Sequence, residues 1–483
     1  MSKKKNICLL SLNREHSAVY LMDKKGDIVG EAVQTLSPTN ENGYIEYDPL
    51  EIVYSVRSCF HQLFQKFKLT KDNVEAISIV SSSYAVMGWS KKSSMALSPA
   101  ISTKCKRAYL CKTLLSSKGQ RQIVYEKTGL HPQDSSRLSL MNWLSHHNTD
   151  IKEAQKNGDL ALAPVESWVL WNLTGLKEIE IDDTNASQTM FYNIYDRCWD
   201  DYICRDFEID SSVLPTVKPA DSIFGSTNGF LPVPDGIPIC GMLHRIHSRL
   251  LSSMDTQFRT AHVFLNSQKF SLVVNIGQDF TTAHPDLKTL IVPTSSQIRF
   301  ALDAVIDFPR IPSLMSSTEF EDISPEIFER LAQSESLLLF PSKTKNNKDG
   351  SPMVHLFNMS DDISEEVLFR AYYKSLVFQV KYFINHFEQL TGISLKEITI
   401  SGRLSRNELL RQFLSDILQT PVKRLYESHT YLRGVFFLVA KRLGFLPESQ
   451  LNKKSVFKQH IPNMDPISSY AQYNQWLQVF DKI

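Results

Sequence analysis

Two short polar segments that follow apolar runs carry side chains able to handle phosphate and protons. Asn13 and Arg14 come soon after the first apolar run of the chain. Asn tolerates the left-handed backbone of a tight turn, and Arg donates paired hydrogen bonds to phosphate. His244 and Arg245 follow the apolar residues 237–241. Histidine can accept a proton from a hydroxyl near neutral pH, whereas arginine cannot, because its pKa lies above ~12.

Other reaction classes lack support in the sequence. The chain shows no Ser-His-Asp order of a hydrolase, no zinc-ligand spacing and no complete phosphate-binding loop. We therefore predict no metal site.

Charge and cysteine content narrow the partners and the compartment. Lysine plus arginine (53) nearly balances aspartate plus glutamate (52), so a net charge of +1 predicts no nucleic-acid partner. Seven cysteines without CxxC spacing are typical of reduced, buried thiols and predict a cytoplasmic protein. The longest strongly apolar stretch, residues 435–440, is far shorter than the ~20 residues that span a bilayer. No membrane span is predicted.

The elements that must position these residues repeat in two halves. Apolar runs predict strands at residues 7–12, 18–22 and 76–80, with a helix over 49–68, in the first half. In the second half they predict strands at 270–276 and 397–400 and helices over 364–390, 407–418 and 431–443. We expect an α/β protein with a mixed sheet in each half and a cleft between the halves.

Several motifs resemble those of one enzyme family. Residues 166–175, E-S-W-V-L-W-N-L-T-G, are similar to the D-S-W-L-I-W-x-L-T-G segment of the glycerol-kinase branch of the FGGY carbohydrate kinases. Residues 182–194, 43–49 and 126–130 also resemble that branch. The resemblance implies two actin-like ATPase (ribonuclease H-like) domains facing a central cleft, at residues 1–250 and 251–483. These motifs are scaffold and establish ancestry rather than chemistry.

The phosphate loops depart from the family pattern. The first hairpin of these kinases carries D-x-G-T-T-S, where this chain has S-L-N-R-E-H at residues 11–16, and a later G-T-G becomes N-S-Q at 266–268. The glycines that allow close approach of backbone to phosphate are missing. The resemblance therefore implies degenerate phosphate loops at Ser11, Asn13, Arg14, Asn266 and Ser267.

The adenosine side and the acceptor base are also altered. Ser401 and Gly402 keep one glycine of a G-G-G loop, and Asn407 stands where a helix should begin, so a nucleotide pocket could survive there. The family places an aspartate base after an I-P-I-x-G strand. Depending on the spacing, that position holds Arg245 or His244, so neither alignment supplies a carboxylate.

Substitutions extend to the positions that contact polyol in the family. The Arg-Glu pair of N-Q-R-E-T-T becomes Ser83 and Tyr84, and Lys104 and Asp134 fall in two further substrate-binding segments. Glycerol is therefore not expected as a tight ligand. These four residues could line a cleft for another small polyol or sugar.

Two hypotheses follow from the resemblance. The first is a catalytically inactive homologue, a pseudokinase, that binds a ligand or acts as a homo-oligomer or as partner of an active kinase homologue. No cofactor is then required. The alternative is an active ATP-dependent sugar or polyol kinase that uses Mg-ATP, with Arg14 contacting phosphate and His244 as the base.

Overall fold

A computed structural model of the chain describes residues 6–110, 118–131, 136–253, 260–265, 269–277, 287–293, 300–307, 337–346, 352–358, 365–425, 430–445, 456–480 and 482. The chain forms two compact units. The first comprises Met1–Ser252, Thr281–Phe300 and His429–Asn452, and the second comprises Ser253–Phe280, Ala301–Ser428 and Lys453–Ile483. The domain boundary at residue 250 stays a prediction.

Strands and helices are numbered along the chain. The first unit contains β1 (Asn6–Leu12), β2 (His16–Met22), β3 (Ile28–Thr35), β4 (Thr39–Glu41), β5 (Tyr44–Tyr47), α1 (Pro49–Phe67), β6 (Val74–Ser81), β7 (Ala85–Ser90), β8 (Ala100–Ser102), α2 (Lys118–Thr128), α3 (Ser136–His147), α4 (Thr149–Lys156), β9 (Leu160–Pro164), α5 (Val165–Leu173), β10 (Glu180–Asp182), α6 (Asp183–Ala186), β11 (Tyr192–Asn193), β12 (Cys198–Trp199), α7 (Asp201–Asp206), β13 (Thr216–Lys218), β14 (Ile223–Ser226), β15 (Pro238–His244) and α8 (Arg245–Ser253).

The second unit contains β16 (Thr260–Leu265), β17 (Lys269–Gly277), β19 (Phe300–Asp307), β20 (Leu338–Asn346), β21 (Pro352–Phe357), α9 (Glu365–Thr391), β22 (Glu397–Ser401), α10 (Glu408–Leu418), β23 (Val422–Leu425), β24 (Val456–His460) and α12 (Pro466–Phe480). Two elements from the C-terminal half return to the first unit, β18 (Lys288–Ile291) and α11 (Thr430–Arg442).

A six-stranded mixed sheet forms the centre of the first unit, in the order β14-β15-β6-β1-β2-β3. β1 and β15 both run parallel to β6, whereas β2 runs antiparallel to β1, as predicted for the opening hairpin. Leu12 pairs in register with Ser81, and Ser81 with His244. The carboxyl ends of three neighbouring parallel strands therefore reach the same level.

Helices cover both faces of this sheet. α1 begins at Asp48, whose side chain accepts a hydrogen bond from Leu50 N at 2.8 Å, and its apolar stripe is buried, as the helical period predicted. α11 packs apolar side chains with the alternate side chains of β1 and β2. Gly434 of α11 lies against α8, since an added Cβ would stand 1.8 Å from Ser248 O. Only glycine permits this approach.

The second unit repeats the mixed arrangement. β16 runs antiparallel to β17 and parallel to β22, which runs parallel to β23. The long helix, the buried strand and the following helix that the sequence predicted are α9, β22 and α10. The predicted α/β class with two halves is therefore confirmed. Within the described ranges, no helix has the length and apolar character needed to cross a bilayer.

Candidate functional site at the strand ends of the first unit

The carboxyl ends of β1, β6 and β15 bring together half of the predicted site residues. Ligands of α/β sheets commonly bind outside the carboxyl ends of parallel strands. Ser11 lies within β1, and Asn13 and Arg14 follow it. Ser83 and Tyr84 follow β6, His244 ends β15 and Arg245 begins α8. Sequence positions more than two hundred residues apart thus meet at one edge of the sheet.

The turn between β1 and β2 is closed by its own asparagine. Asn13 Oδ1 accepts hydrogen bonds from Glu15 N at 2.9 Å and from His16 N at 3.0 Å. Asn13 Nδ2 lies 2.9 Å from His16 Nε2, to which it can donate when the ring is neutral. Two backbone N–H groups of the turn are therefore already bonded inside the turn.

Arg14 lies at the tip of the same turn and is half-buried. Its Nη2 donates to Thr103 Oγ1 at 3.3 Å, and its carbonyl accepts from Tyr47 Oη at 2.9 Å. Burial lowers the pKa of Arg14, although Tyr47 and Glu15 oppose the shift.

Tyr84 packs against Tyr47, whose hydroxyl binds this turn at Arg14 O. Its ring meets that of Tyr47 edge to face, with centroids 5.1 Å apart. The Tyr84 hydroxyl is buried and has no hydrogen-bond partner among the described residues. Burial raises the pKa of Tyr84 well above its usual value, so the phenol stays neutral. Tyr84, one of the predicted ligand-cleft residues, thus presents a neutral phenol ring with one polar atom.

Ser83 belongs to a buried polar network centred on Glu166. Glu166 accepts a hydrogen bond from Ser81 Oγ at 2.9 Å and also contacts Ser83 Oγ. Ser83 Oγ lies 2.9 Å from Asn185 Oδ1, and its single proton can serve only one of these acceptors. Burial raises the pKa of Glu166. The hydrogen bonds that Ser83 and Ser81 donate to Glu166 oppose this rise.

Arg137, which the sequence did not single out, holds the loop after β6. Its guanidinium donates to the carbonyls of Ser83 at 3.0 Å and of Ser82 and Gln188 at 3.1 Å each. Burial lowers the pKa of Arg137 to about 10, although Glu166 opposes the shift. It therefore stays charged at neutral pH. Its place beside the predicted Asp134 was the only sequence signal available.

His244 occupies one of the two positions expected for a base, and it is buried. Its backbone N donates to Thr184 Oγ1 at 2.7 Å, and Nδ1 accepts weakly from Ile246 N at 3.4 Å. Burial lowers the pKa of His244 well below its usual value; Arg137 and His247 add to the shift, and the Ser82 carbonyl opposes it. The imidazole is neutral at pH 7 and a poor proton acceptor.

The buried carboxyl of Asp182 contacts Thr184, whose hydroxyl accepts the hydrogen bond from the His244 backbone. Asp182 accepts hydrogen bonds from Thr184 N at 2.9 Å and from Asn185 N at 3.0 Å, and it also contacts Thr184 Oγ1. Burial raises the pKa of Asp182 to about 8, and the charge of Asp183 adds to the shift.

Arg245, the next residue after His244, is half-buried and places its guanidinium 4.0 Å from the centroid of the Tyr431 ring.

The predicted nucleotide-side residues lie in the second unit and have internal contacts. Ser401 Oγ lies 2.8 Å from His262 Nε2, and Asn407 Oδ1 caps α10 by accepting from Leu410 N at 2.9 Å. Gly402 has a φ of 97°, and an added Cβ would stand 2.2 Å from Leu265 O. Gly402 is therefore required for packing.

Four predicted positions remain, Lys104, Asp134, Asn266 and Ser267. Lys104 is exposed, and its backbone N donates to Ser102 Oγ at 3.2 Å. Asp134, Asn266 and Ser267 lie outside the described residues. Among the described residues, no group of three or more His, Cys, Asp or Glu side chains is arranged to hold a metal ion.

Family models and individual relatives identify the same family for this chain. Residues 15–248 match the N-terminal domain of the FGGY family of carbohydrate kinases, and residues 347–441 match its C-terminal domain. A glycerol kinase of Limosilactobacillus reuteri is 26% identical over 493 residues, covering 99% of this chain and 97% of the relative. A glycerol kinase of Aeromonas hydrophila is 24% identical over 503 residues, covering 100% and 98%.

Solved structures share the fold over the full chain. The glycerol kinase of Plasmodium falciparum with ADP superimposes with a TM-score of 0.87 at 20% identity, covering 99% of this chain and 98% of that one. The gluconate kinase of Lactobacillus acidophilus gives a TM-score of 0.81 at 16% identity, covering 99% and 97%. The predicted actin-like ATPase fold is confirmed by these similarities.

Proposed function

Because the chain belongs to the FGGY family of carbohydrate kinases, we propose that this glycerol kinase-like member is a pseudokinase. It binds a ligand in the cytoplasm and acts in regulation or assembly, as a homo-oligomer or beside an active kinase homologue. It does not transfer the γ-phosphoryl group of ATP.

The closed turn after β1 is the observation that carries this proposal. In the family pattern this turn supplies small residues, an aspartate that organises the metal and backbone N–H groups that contact phosphate. Here Asn13 Oδ1 already binds Glu15 N and His16 N, so a phosphate held by these backbone N–H groups would have to displace it. Asp, Gly and both Thr of the family pattern are absent from residues 11–16. The turn therefore lacks the groups that stabilise the transferring phosphoryl group.

The acceptor side supports the same proposal. A general base contributes roughly 10²–10⁴ in rate and works best when its pKa lies near the operating pH. The pKa of His244 is well below its usual value because the ring is buried. Arg245 cannot accept a proton at neutral pH. Neither residue at the base position is suited to deprotonate a hydroxyl.

A turnover assay tests the proposal directly. The purified protein is incubated with Mg-ATP and a panel of polyols and sugars, beside a boiled control and the glycerol kinase of Limosilactobacillus reuteri. We expect no ADP formation above the boiled control. Sustained turnover that His244→Ala abolishes would establish the active-kinase alternative, and turnover that survives His244→Ala would contradict both mechanisms.

Nucleotide binding is measured separately from turnover. A ligand that binds only the native state raises the midpoint of thermal unfolding. We expect millimolar Mg-ATP to leave the midpoint unchanged. A clear rise would show that the nucleotide site survives and would restrict the proposal to loss of the transfer step.

A further inference from the structure

Three arginines lie at the carboxyl ends of the three neighbouring parallel strands of the first unit. Arg14 is the second residue after β1, and Arg245 directly follows β15. Arg137 comes from α3 but binds the carbonyls of Ser82 and Ser83, the two residues after β6. Adjacent strands are about 4.8 Å apart, so the three loops span roughly 10 Å.

These arginines have no acidic partner within ion-pair distance among the described residues, whose ion pairs involve other cations. The nearby carboxyls are Glu15, which is exposed, and Glu166, which is buried and hydrogen-bonded to Ser81. The charge of Arg14 lowers the pKa of Arg137, and that of Arg245 lowers the pKa of His16, after burial in each case. The charges of Arg14, Arg137 and Arg245 therefore act on groups at the same edge of the sheet.

Two of the arginines also have donors without acceptors. The Nε atoms of Arg14 and Arg245 are buried and make no hydrogen bond to any described residue. Guanidinium carries donors only, so each Nε–H needs an acceptor that the described part of the chain does not supply. A bound anion would provide oxygens for both.

The positive ends of two helices lie beside Arg245. α8 begins at Arg245 itself, and α11 begins at Thr430, next to the Tyr431 ring on which Arg245 stacks. The unbonded N–H groups and the dipole at a helix N-terminus favour a negative charge nearby. Neither helix has an Asp or Glu in its first turn.

We propose that this edge binds the phosphate group of a small phosphorylated metabolite through Arg14 and Arg245, with Arg137 adding charge from the loop after β6. A phosphate monoester supplies three oxygens and about two negative charges, which suit several arginine donors. The inference rests on the proposed pseudokinase function, since a working kinase must release its phosphorylated product from the acceptor side. A protein that holds such a compound would report its concentration.

Calorimetric titration with inorganic phosphate and with glycerol 3-phosphate, at constant ionic strength, tests the site. We expect binding to the wild-type protein and affinities about 10- to 100-fold weaker in Arg14→Gln and in Arg245→Gln, because each loses charge-assisted hydrogen bonds. Lys25→Gln, on the exposed turn between β2 and β3, removes the same charge and should bind as the wild type does. Glycerate distinguishes phosphate from a general preference for anions and should bind more weakly.

The two proposals fail in different ways. Absence of phosphate binding in a protein without turnover, or equal affinity in all variants, would overturn this inference alone. Turnover with Mg-ATP would overturn the pseudokinase proposal, whatever the titration gives. Circular dichroism verifies that each variant is folded, and if one arginine variant unfolds, the other decides the outcome.

Discussion

Burial determines the charge of two histidines close to the candidate site. His247 is fully buried, and neither ring nitrogen has a hydrogen-bond partner among the described residues. Burial lowers the pKa of His247 to about 3, from 6.5 for the free side chain. Below pH 6.5 the unfolded chain binds a proton that the native ring does not. The free energy of unfolding therefore decreases as the pH is lowered from 6.5 to about 3.

Replacing His247 should therefore weaken the acid sensitivity of the fold. Each pH unit below 6.5 costs up to ~1.4 kcal/mol, so His247 contributes about 2 kcal/mol of destabilisation between pH 6.5 and pH 5. We expect His247→Gln to show a smaller loss of urea stability over this interval than the wild type. His61→Gln, at an exposed position of α1, serves as the control. Equal pH dependence in His247→Gln and wild type would contradict the assignment.

At the scale of the element, the β1–β2 hairpin depends on its turn. Asn13 Oδ1 is the acceptor for two backbone N–H groups, which would otherwise lose their hydrogen bonds. We expect Asn13→Ala to lower the free energy of unfolding by about 1–2 kcal/mol, measured in urea. Asn13→Asp keeps an acceptor oxygen and should lose less. If the alanine variant is as stable as the wild type, the turn does not depend on Asn13 and remains open to phosphate.

At the scale of the whole molecule, the described cysteines differ in their exposure to solvent. The six described cysteines are free thiols; Cys8, Cys59, Cys105, Cys204 and Cys240 are buried, and Cys198 is exposed. Burial raises the pKa of Cys8, Cys59 and Cys204 to about 12, which suppresses the reactive thiolate.

Thiol labelling of the native protein should therefore be selective. Among the described cysteines, we expect Cys198 to react first with a maleimide, and Cys198→Ser to remove that fast phase. Peptide mapping by mass spectrometry identifies the labelled site. Rapid labelling of Cys8 or Cys59 in the folded protein would show that the first unit opens far more readily than its buried core implies.

The sequence by itself determined the elements and the family. The helical spacing of apolar residues in α1 and α9, and the short apolar runs of β1, β6 and β22, depend only on neighbours along the chain. The motif around Trp168 is local as well, so it indicates ancestry directly. The same motif includes Glu166, whose contact with Ser83 could not be read from it, because the two residues are separated by 83 positions.

Only the tertiary structure decided which side chains share an environment. The parallel register of β1, β6 and β15 brings Arg14, Arg137 and Arg245 to one edge, and no local pattern connects these three positions. Burial then raises the pKa of Glu166 and lowers that of His244, since a pKa shift depends on the removal of water and on nearby charges. The sequence predicted that the loop at residues 11–16 departs from the family pattern. The contacts of Asn13 and Arg14 in that turn form only when the strands align.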